Sequence, residues 1–182
     1  MTAPNDPMTL DALAAHVRVV ADFPKPGIQF RDLTPLLANG AAFRAATAAL
    51  AARAGAFDLI AGIEARGFLF GAALAHATGS GLVIVRKPGK LPSATIGHDY
   101  SLEYGTDRLE LHADAVPAGA RVLLVDDVLA TGGTADAAVQ LVRKAGGLVT
   151  RALFVMALDG LPGASRLAAR GVDPVSLLHF PA

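Results

Sequence analysis

An α/β fold, a mostly parallel sheet flanked by helices, is predicted here by three features of the sequence. Residues 59–62, 82–85 and 122–125 are short, continuous apolar runs, as in strands buried on both faces. Segments of helical length separate them. Glycine and proline mark most of the junctions. A chain of 182 residues suits one domain spanning residues 1–182, with a sizeable core.

Taken in order, "TLDALAAHVRVV" carries Leu10, Leu13, Ala14, Val17 and Val20 at helical spacing, with Thr9 as N-cap. "DFPKPGIQFRDLTPLL" is broken by Pro24, Pro26, Gly27 and Pro35, and reads as an irregular segment with a short strand. Residues 39–55 read as an alanine-rich helix. A strand at 59–62, a helix at 67–78 and a strand at 82–85 follow. Residues 86–100 have no periodicity, and 108–112 alternate like an edge strand. The strand at 122–125 leads to a helix at 134–144 and a long strand at 148–158. A short helix near 165–170 and a strand at 175–178 close the chain.

Composition narrows the function classes. Hydrophobic residues make up 53%, too many for a disordered chain, and the formal net charge is zero. Bulk attraction to nucleic acid or to an anionic membrane is therefore not expected. Without cysteine there is neither a disulfide framework nor a thiolate metal site, which suits the cytoplasm. No apolar run approaches the ~20 residues of a membrane span, and the start lacks a signal-peptide layout. The five histidines are scattered without metal-ligand spacing.

In parallel sheets, ligands gather beyond the carboxyl ends of the strands. There "VLLVDDVLATGGT" sets Asp126 and Asp127 against a turn of Thr131, Gly132, Gly133 and Thr134. Buried carboxylates are costly unless a ligand or donors compensate them. The glycines expose successive N–H groups at a helix start, which favours a phosphate. No Lys-Ser or Lys-Thr pair follows, so this is not a Walker loop. A sugar phosphate fits both ends of the motif. A capped helix with two solvated aspartates is the plainer alternative.

The motif resembles the 5-phosphoribosyl 1-diphosphate (PRPP) site of the type I phosphoribosyltransferases. That resemblance implies that Asp126 and Asp127 bind the ribose hydroxyls and act in catalysis, while Ala130, Thr131, Gly132, Gly133 and Thr134 wrap the 5′-phosphate. "DFPKPGIQFRDLTPLL", "AGIEARGFLFGAALA" and "VRKPGKLPSATIGHDYSLEYGTDRLEL" resemble adenine phosphoribosyltransferases in the family's order. The resemblance implies a base-binding segment at 22–37, a flexible lid at 86–104 and the PRPP motif at 122–135. The implied reaction joins adenine to PRPP in the presence of Mg2+, giving AMP and diphosphate through an oxocarbenium-like transition state. By the same resemblance, Phe30 packs on the base and main-chain groups of Gln29 and Arg31 read its edge. Gln29 departs from the aliphatic residue common there. Arg66 and Gly67 hold diphosphate with Arg86, Lys87 and Lys90, and Lys90 can serve the neighbouring subunit of a homodimer. Glu103 and Tyr104 close over the reacting centre, and Glu103 is the candidate for taking the N9 proton of adenine. Glu64 is read as structural, and Asp32 as turn-stabilising rather than catalytic. Magnesium is expected on the phosphates and water, not in a protein cage.

Plainer readings stand beside these. Phe30 can be a core aromatic, Arg66 a surface arginine, residues 86–90 a solvated loop, and Glu103 and Tyr104 outward residues of a strand. Transferases of another base (xanthine, hypoxanthine or orotate) are the near rival. Ala130 argues against the 6-oxopurine enzymes, which typically carry an aspartate at that position. A PRPP-sensing regulator that binds nucleic acid is the rival from another class, but the chain shows no helix-turn-helix extension and no basic face.

Overall fold

The computed structural model describes residues 8–101 and 105–182. Five parallel strands form the central sheet: β3 (Leu59–Ile63), β4 (Gly81–Val85), β7 (Val122–Leu129), β8 (Arg151–Asp159) and β9 (Asp173–Pro181). Their order is β4-β3-β7-β8-β9. Two antiparallel ribbons accompany the sheet. One pairs β1 (Arg18–Ala21) with β2 (Gln29–Asp32), the other β5 (Thr95–Ser101) with β6 (Thr106–His112). The expected parallel sheet between helices is thus present.

Both faces of the sheet are buried, which explains the continuous apolar runs. Side chains alternate along a strand, so Val122 and Leu124 enter one core while Leu123 and Val125 enter the other. On the first face lie α5 (Gly133–Lys144), α6 (Gly163–Ala169) and the β5–β6 hairpin, through Val139, Leu167 and Leu109. On the second lie α1 (Leu10–Ala14), α2 (Thr34–Ala38), α3 (Gly40–Ala51) and α4 (Gly67–Thr78), through Leu13, Leu36, Leu50 and Phe70. Asn39 caps α3 by accepting from the Ala41 and Ala42 N–H groups at 3.0 and 3.1 Å.

Three expectations need correction. The helix capped by Thr9 ends at Ala14, and Arg18–Ala21 is a strand. There the pairing with Gln29–Asp32 overrides the helical spacing, and β-branched Val19 and Val20 favour it. Residues 95–100 are not irregular: they lie in β5, in full register with β6. The strand predicted at 122–125 runs on to Leu129, so the two aspartates belong to it.

Candidate active site

The chain passes from β3 to β4 on one side of the sheet and from β7 to β8 and β9 on the other. A crevice opens beyond the carboxyl ends where such an order diverges. Here it is a cleft of about 580 Å³ between the ends of β3 and β7. It is lined by Gln29, Phe30 and Arg31 from β2, by Glu64, Ala65 and Arg66 after β3, and by Lys87 after β4. Asp126, Asp127 and residues 128–135 complete the wall, with Met156 and Leu158 from β8.

The acidic pair sits deep. Asp127 is 5% exposed. Burial pushes the Asp126 carboxyl well above the ordinary carboxylate range, and the neighbouring Asp127 charge adds to this. Burial also raises Asp127, and the Arg66 guanidinium opposes the rise. Arg66 Nε stands 2.5 Å from Asp127 Oδ2. Its N–H is not aligned for a hydrogen bond, so among the described residues this buried oxygen has a charge partner but no donor. Asp126 Oδ1 accepts from the Asp127 N–H at 2.8 Å. Gly67 begins α4 against this pair: a Cβ there would meet Asp126 Oδ1 and the Val125 carbonyl oxygen, each at 2.8 Å. Gly67 is therefore packed closely against the pair, at the uncapped start of α4.

Neither α4 nor α5 has a side-chain cap at its N-terminus, so their first-turn N–H groups are free of local side-chain acceptors. Ahead of α5, Gly132 takes φ +77°, which an L side chain rarely adopts. The turn rests on α6: a Cβ on Gly132 would come within 2.8 Å of Gly163 Cα, and one on Gly163 within 2.3 Å of the Ala130 carbonyl oxygen. Gly163 is a supporting residue that the sequence reading missed, because "LPG" looks like any turn.

Arg86 and Lys87 are already engaged. Arg86 Nε lies 3.2 Å from Glu64 Oε2, and the Arg86 guanidinium also donates to the Lys90 carbonyl at 3.1 Å. Glu64 accepts from the Lys87 N–H at 2.8 Å, in keeping with its structural reading. Burial pushes Glu64 up, yet the bonds from Lys87 and Arg86 outweigh it and the net shift is downward. The Lys87 ammonium pairs with Asp107 and donates to the Tyr100 hydroxyl at 2.9 Å. Burial pulls the Lys87 pKa down, but these two bonds leave it raised. The bond from Lys87 holds Asp107 below the usual range. Of the predicted diphosphate group, Arg66 and Lys87 line the cleft, while Arg86 lies behind it and Lys90 is exposed outside it.

At the other end, the Phe30 ring meets Phe23 edge-on at 5.1 Å, and the Arg66 guanidinium lies 5.6 Å from its centroid. Phe30 is thus a cleft wall rather than a core aromatic. Arg31 packs on the Phe180 ring at 5.1 Å, and its buried Nε has no hydrogen-bond partner among the described residues. Asp32 accepts from the Thr34 N–H and hydroxyl, each at 2.8 Å, a turn-stabilising arrangement. Glu103 and Tyr104 lie outside the described residues. Among the described residues no helix is long and apolar enough to cross a membrane.

Comparison with known proteins agrees with this geometry. The phosphoribosyl transferase domain family matches residues 33–166. An adenine phosphoribosyltransferase of Methylobacterium sp. (strain 4-46) is 53% identical over 177 residues, which is 96% of this chain and 98% of that protein. The crystal structure of adenine phosphoribosyltransferase from Thermoanaerobacter pseudethanolicus is 51% identical, with a TM-score of 0.89 over 94% of this chain and 100% of that one. The Saccharomyces cerevisiae enzyme, solved with adenine and an imino-altritol bisphosphate, is 39% identical, with a TM-score of 0.88 over 93% and 98%. With identity of this extent over nearly its whole length, the chain belongs to the adenine phosphoribosyltransferase family, within the phosphoribosyl transferase domain family.

Proposed function

We propose that this protein transfers the 5-phosphoribosyl group of PRPP to N9 of adenine, giving AMP and diphosphate, as a purine-salvage step in the cytoplasm. The observation that carries the reading is the pair of buried Asp127 and half-buried Asp126 beside the uncapped start of α5, in one cleft with Phe30. The C1′–diphosphate bond breaks with its electron pair on the leaving group, and N9 supplies the pair for the new bond. Positive charge develops on the ribose ring as in glycoside cleavage. Asp126 and Asp127 accept the ribose hydroxyls and face that charge, which offsets the cost of ionising them in a buried place. Ala130, Thr131, Gly132, Gly133 and Thr134 hold the 5′-phosphate through main-chain N–H groups and two hydroxyls. Arg66 and Lys87 take the diphosphate, with Arg86 behind them. By the family resemblance Glu103 and Tyr104 close over the reacting centre, and Glu103 is our candidate for taking the N9 proton.

Magnesium fits this donor set as a guest of the substrate. Among the described residues no three or more His, Cys, Asp or Glu side chains converge to hold a metal, and Mg2+ commonly keeps water and substrate phosphates as ligands. Bound with PRPP, Mg2+ would supply positive charge against the negative charge developing on the diphosphate. The protein acts as a homodimer in this reading, supported by exposed Leu69 and Ile84 and by Lys90 lying outside its own cleft. Light scattering tests the assembly.

The deciding assay supplies PRPP, magnesium and a panel of bases. Main-chain acceptors near Gln29 and Arg31 that receive the 6-amino group would face an oxygen in hypoxanthine. Sites built this way reject such analogues by roughly 10⁴-fold in kcat/KM. Comparable kcat/KM for adenine and hypoxanthine would promote the rival transferase. Phe30→Ala should weaken adenine binding by about 1–3 kcal/mol if the ring stacks on the base, with little change for PRPP. Equal loss for both substrates in calorimetry would remove Phe30 from the base site.

A further inference from the structure

Three cations at this end of the molecule have a carboxylate partner: Arg66 with Asp127, Arg86 with Glu64, Lys87 with Asp107. Asp127 and Glu64 line the cleft themselves, whereas Asp107 reaches Lys87 from β6, outside the lining. Directly across the hairpin from Asp107 is Tyr100. The Tyr100 hydroxyl donates to Asp107 Oδ2 at 3.0 Å and receives the Lys87 ammonium at 2.9 Å. It also lies 3.5 Å from Thr134 Oγ1 in the phosphate turn, and Lys87 Nζ is 5.4 Å from the Tyr100 ring centroid. An ammonium has three N–H donors. Among the described residues Asp107 and Tyr100 occupy two, which leaves one for a ligand.

We propose that Asp107 and Tyr100 are positioning residues for the phosphorylated donor, holding the Lys87 ammonium at the cleft with one donor open and tying it to the turn at Thr134. The proposal rests on the reading of this cleft as a PRPP site. A lysine stem is flexible, and binding a phosphate would otherwise order it at an entropic cost. Fixing it beforehand removes that cost from the binding step. The Asp107 charge also repels an incoming phosphate. Ordering wins because the Lys87 and Asp107 side chains are 36% and 27% exposed, so solvent screens the longer-range repulsion.

The test uses calorimetry and steady-state kinetics with magnesium and PRPP on Asp107→Ala, Asp107→Asn and Tyr100→Phe, alone and in a Lys87→Ala background. Asp107→Ala should weaken PRPP binding and raise its KM by about tenfold, leaving the KM for adenine unchanged. Asp107→Asn keeps an acceptor and should fall between; it carries the test if Asp107→Ala does not fold. In the Lys87→Ala background the Asp107 substitutions should change PRPP binding less than about twofold, because the group they position is gone. Tighter or unchanged PRPP binding, or the full effect again without the Lys87 side chain, would overturn the proposal. Absence of turnover with every base in the unmodified protein would sink the transferase reading while the calorimetry still reads the positioning role. Absence of PRPP binding to the unmodified protein would sink both.

Discussion

Adjacent carboxylates on a buried strand oppose folding, and Asp126 and Asp127 both titrate above the ordinary range, chiefly because burial disfavours their charged forms. A group whose folded pKa is raised stabilises the fold fully below its unfolded pKa, here about 3.9. That contribution is lost as pH rises through the folded value. At neutral pH the pair therefore weakens the ligand-free protein. Replacing Asp127 by Asn removes one of these charges, and Arg66, 43% exposed, can turn to water rather than remain a buried, unpaired ion. We expect Asp127→Asn to lower turnover and weaken PRPP binding while melting no lower than the parent at pH 7. Any advantage should shrink as pH falls toward about 4. Melts at the two pH values check the sign. A variant clearly less stable at pH 7 would mean that the Arg66 pair outweighs burial.

The turn at residues 130–134 is held from behind by a helix that follows the next strand. A Cβ on Gly132 would meet the Gly163 backbone, so the start of α6 can pack this closely on the turn ahead of α5 because neither residue carries a side chain. Gly163→Ala would set a Cβ 2.3 Å from the Ala130 carbonyl oxygen, and the backbone of the turn would have to move. Overpacking of this kind costs about 1–3 kcal/mol. PRPP affinity should fall with stability, whereas Gly40→Ala, where a Cβ meets nothing within 4 Å, should leave PRPP affinity unchanged and should not lower stability. Thermal melts and calorimetry on the two variants separate these outcomes. Wild-type affinity in Gly163→Ala would show that the turn does not depend on α6.

The cleft exists because β3 and β7 lie side by side, and an ion pair secures that adjacency at the opposite end of the sheet. Arg121 donates to Asp58 through its N–H at 2.8 Å and through its guanidinium at 2.6 and 3.0 Å, while its carbonyl accepts from the Asp58 N–H at 2.8 Å. The Arg121 bonds hold the Asp58 carboxyl down at about 2. A lowered folded pKa contributes stability above the unfolded value, and this is lost as pH falls through about 2. Asp58→Asn should therefore unfold at a higher pH than the parent in an acid titration followed by circular dichroism. The two curves should converge near pH 2. Coincident curves throughout would assign the pair no part in joining the strands.

What the sequence by itself determined is local: apolar runs long enough for buried strands, the helices between them, and an acidic pair running into a glycine turn. Those features are legible because period, turn chemistry and helix starts depend on neighbours along the chain. Even the helix start at Gly67 could be read from "EARGFLFG". Tertiary structure decided the rest, since each remaining feature needs a partner distant in sequence. Arg18–Ala21 became a strand because Gln29–Asp32 offered it an antiparallel edge. Arg66 met Asp127 because the strand order set β3 against β7. Asp107, one polar residue among several on an alternating strand, had no signal of its own until the hairpin register set it opposite Tyr100 and beside Lys87.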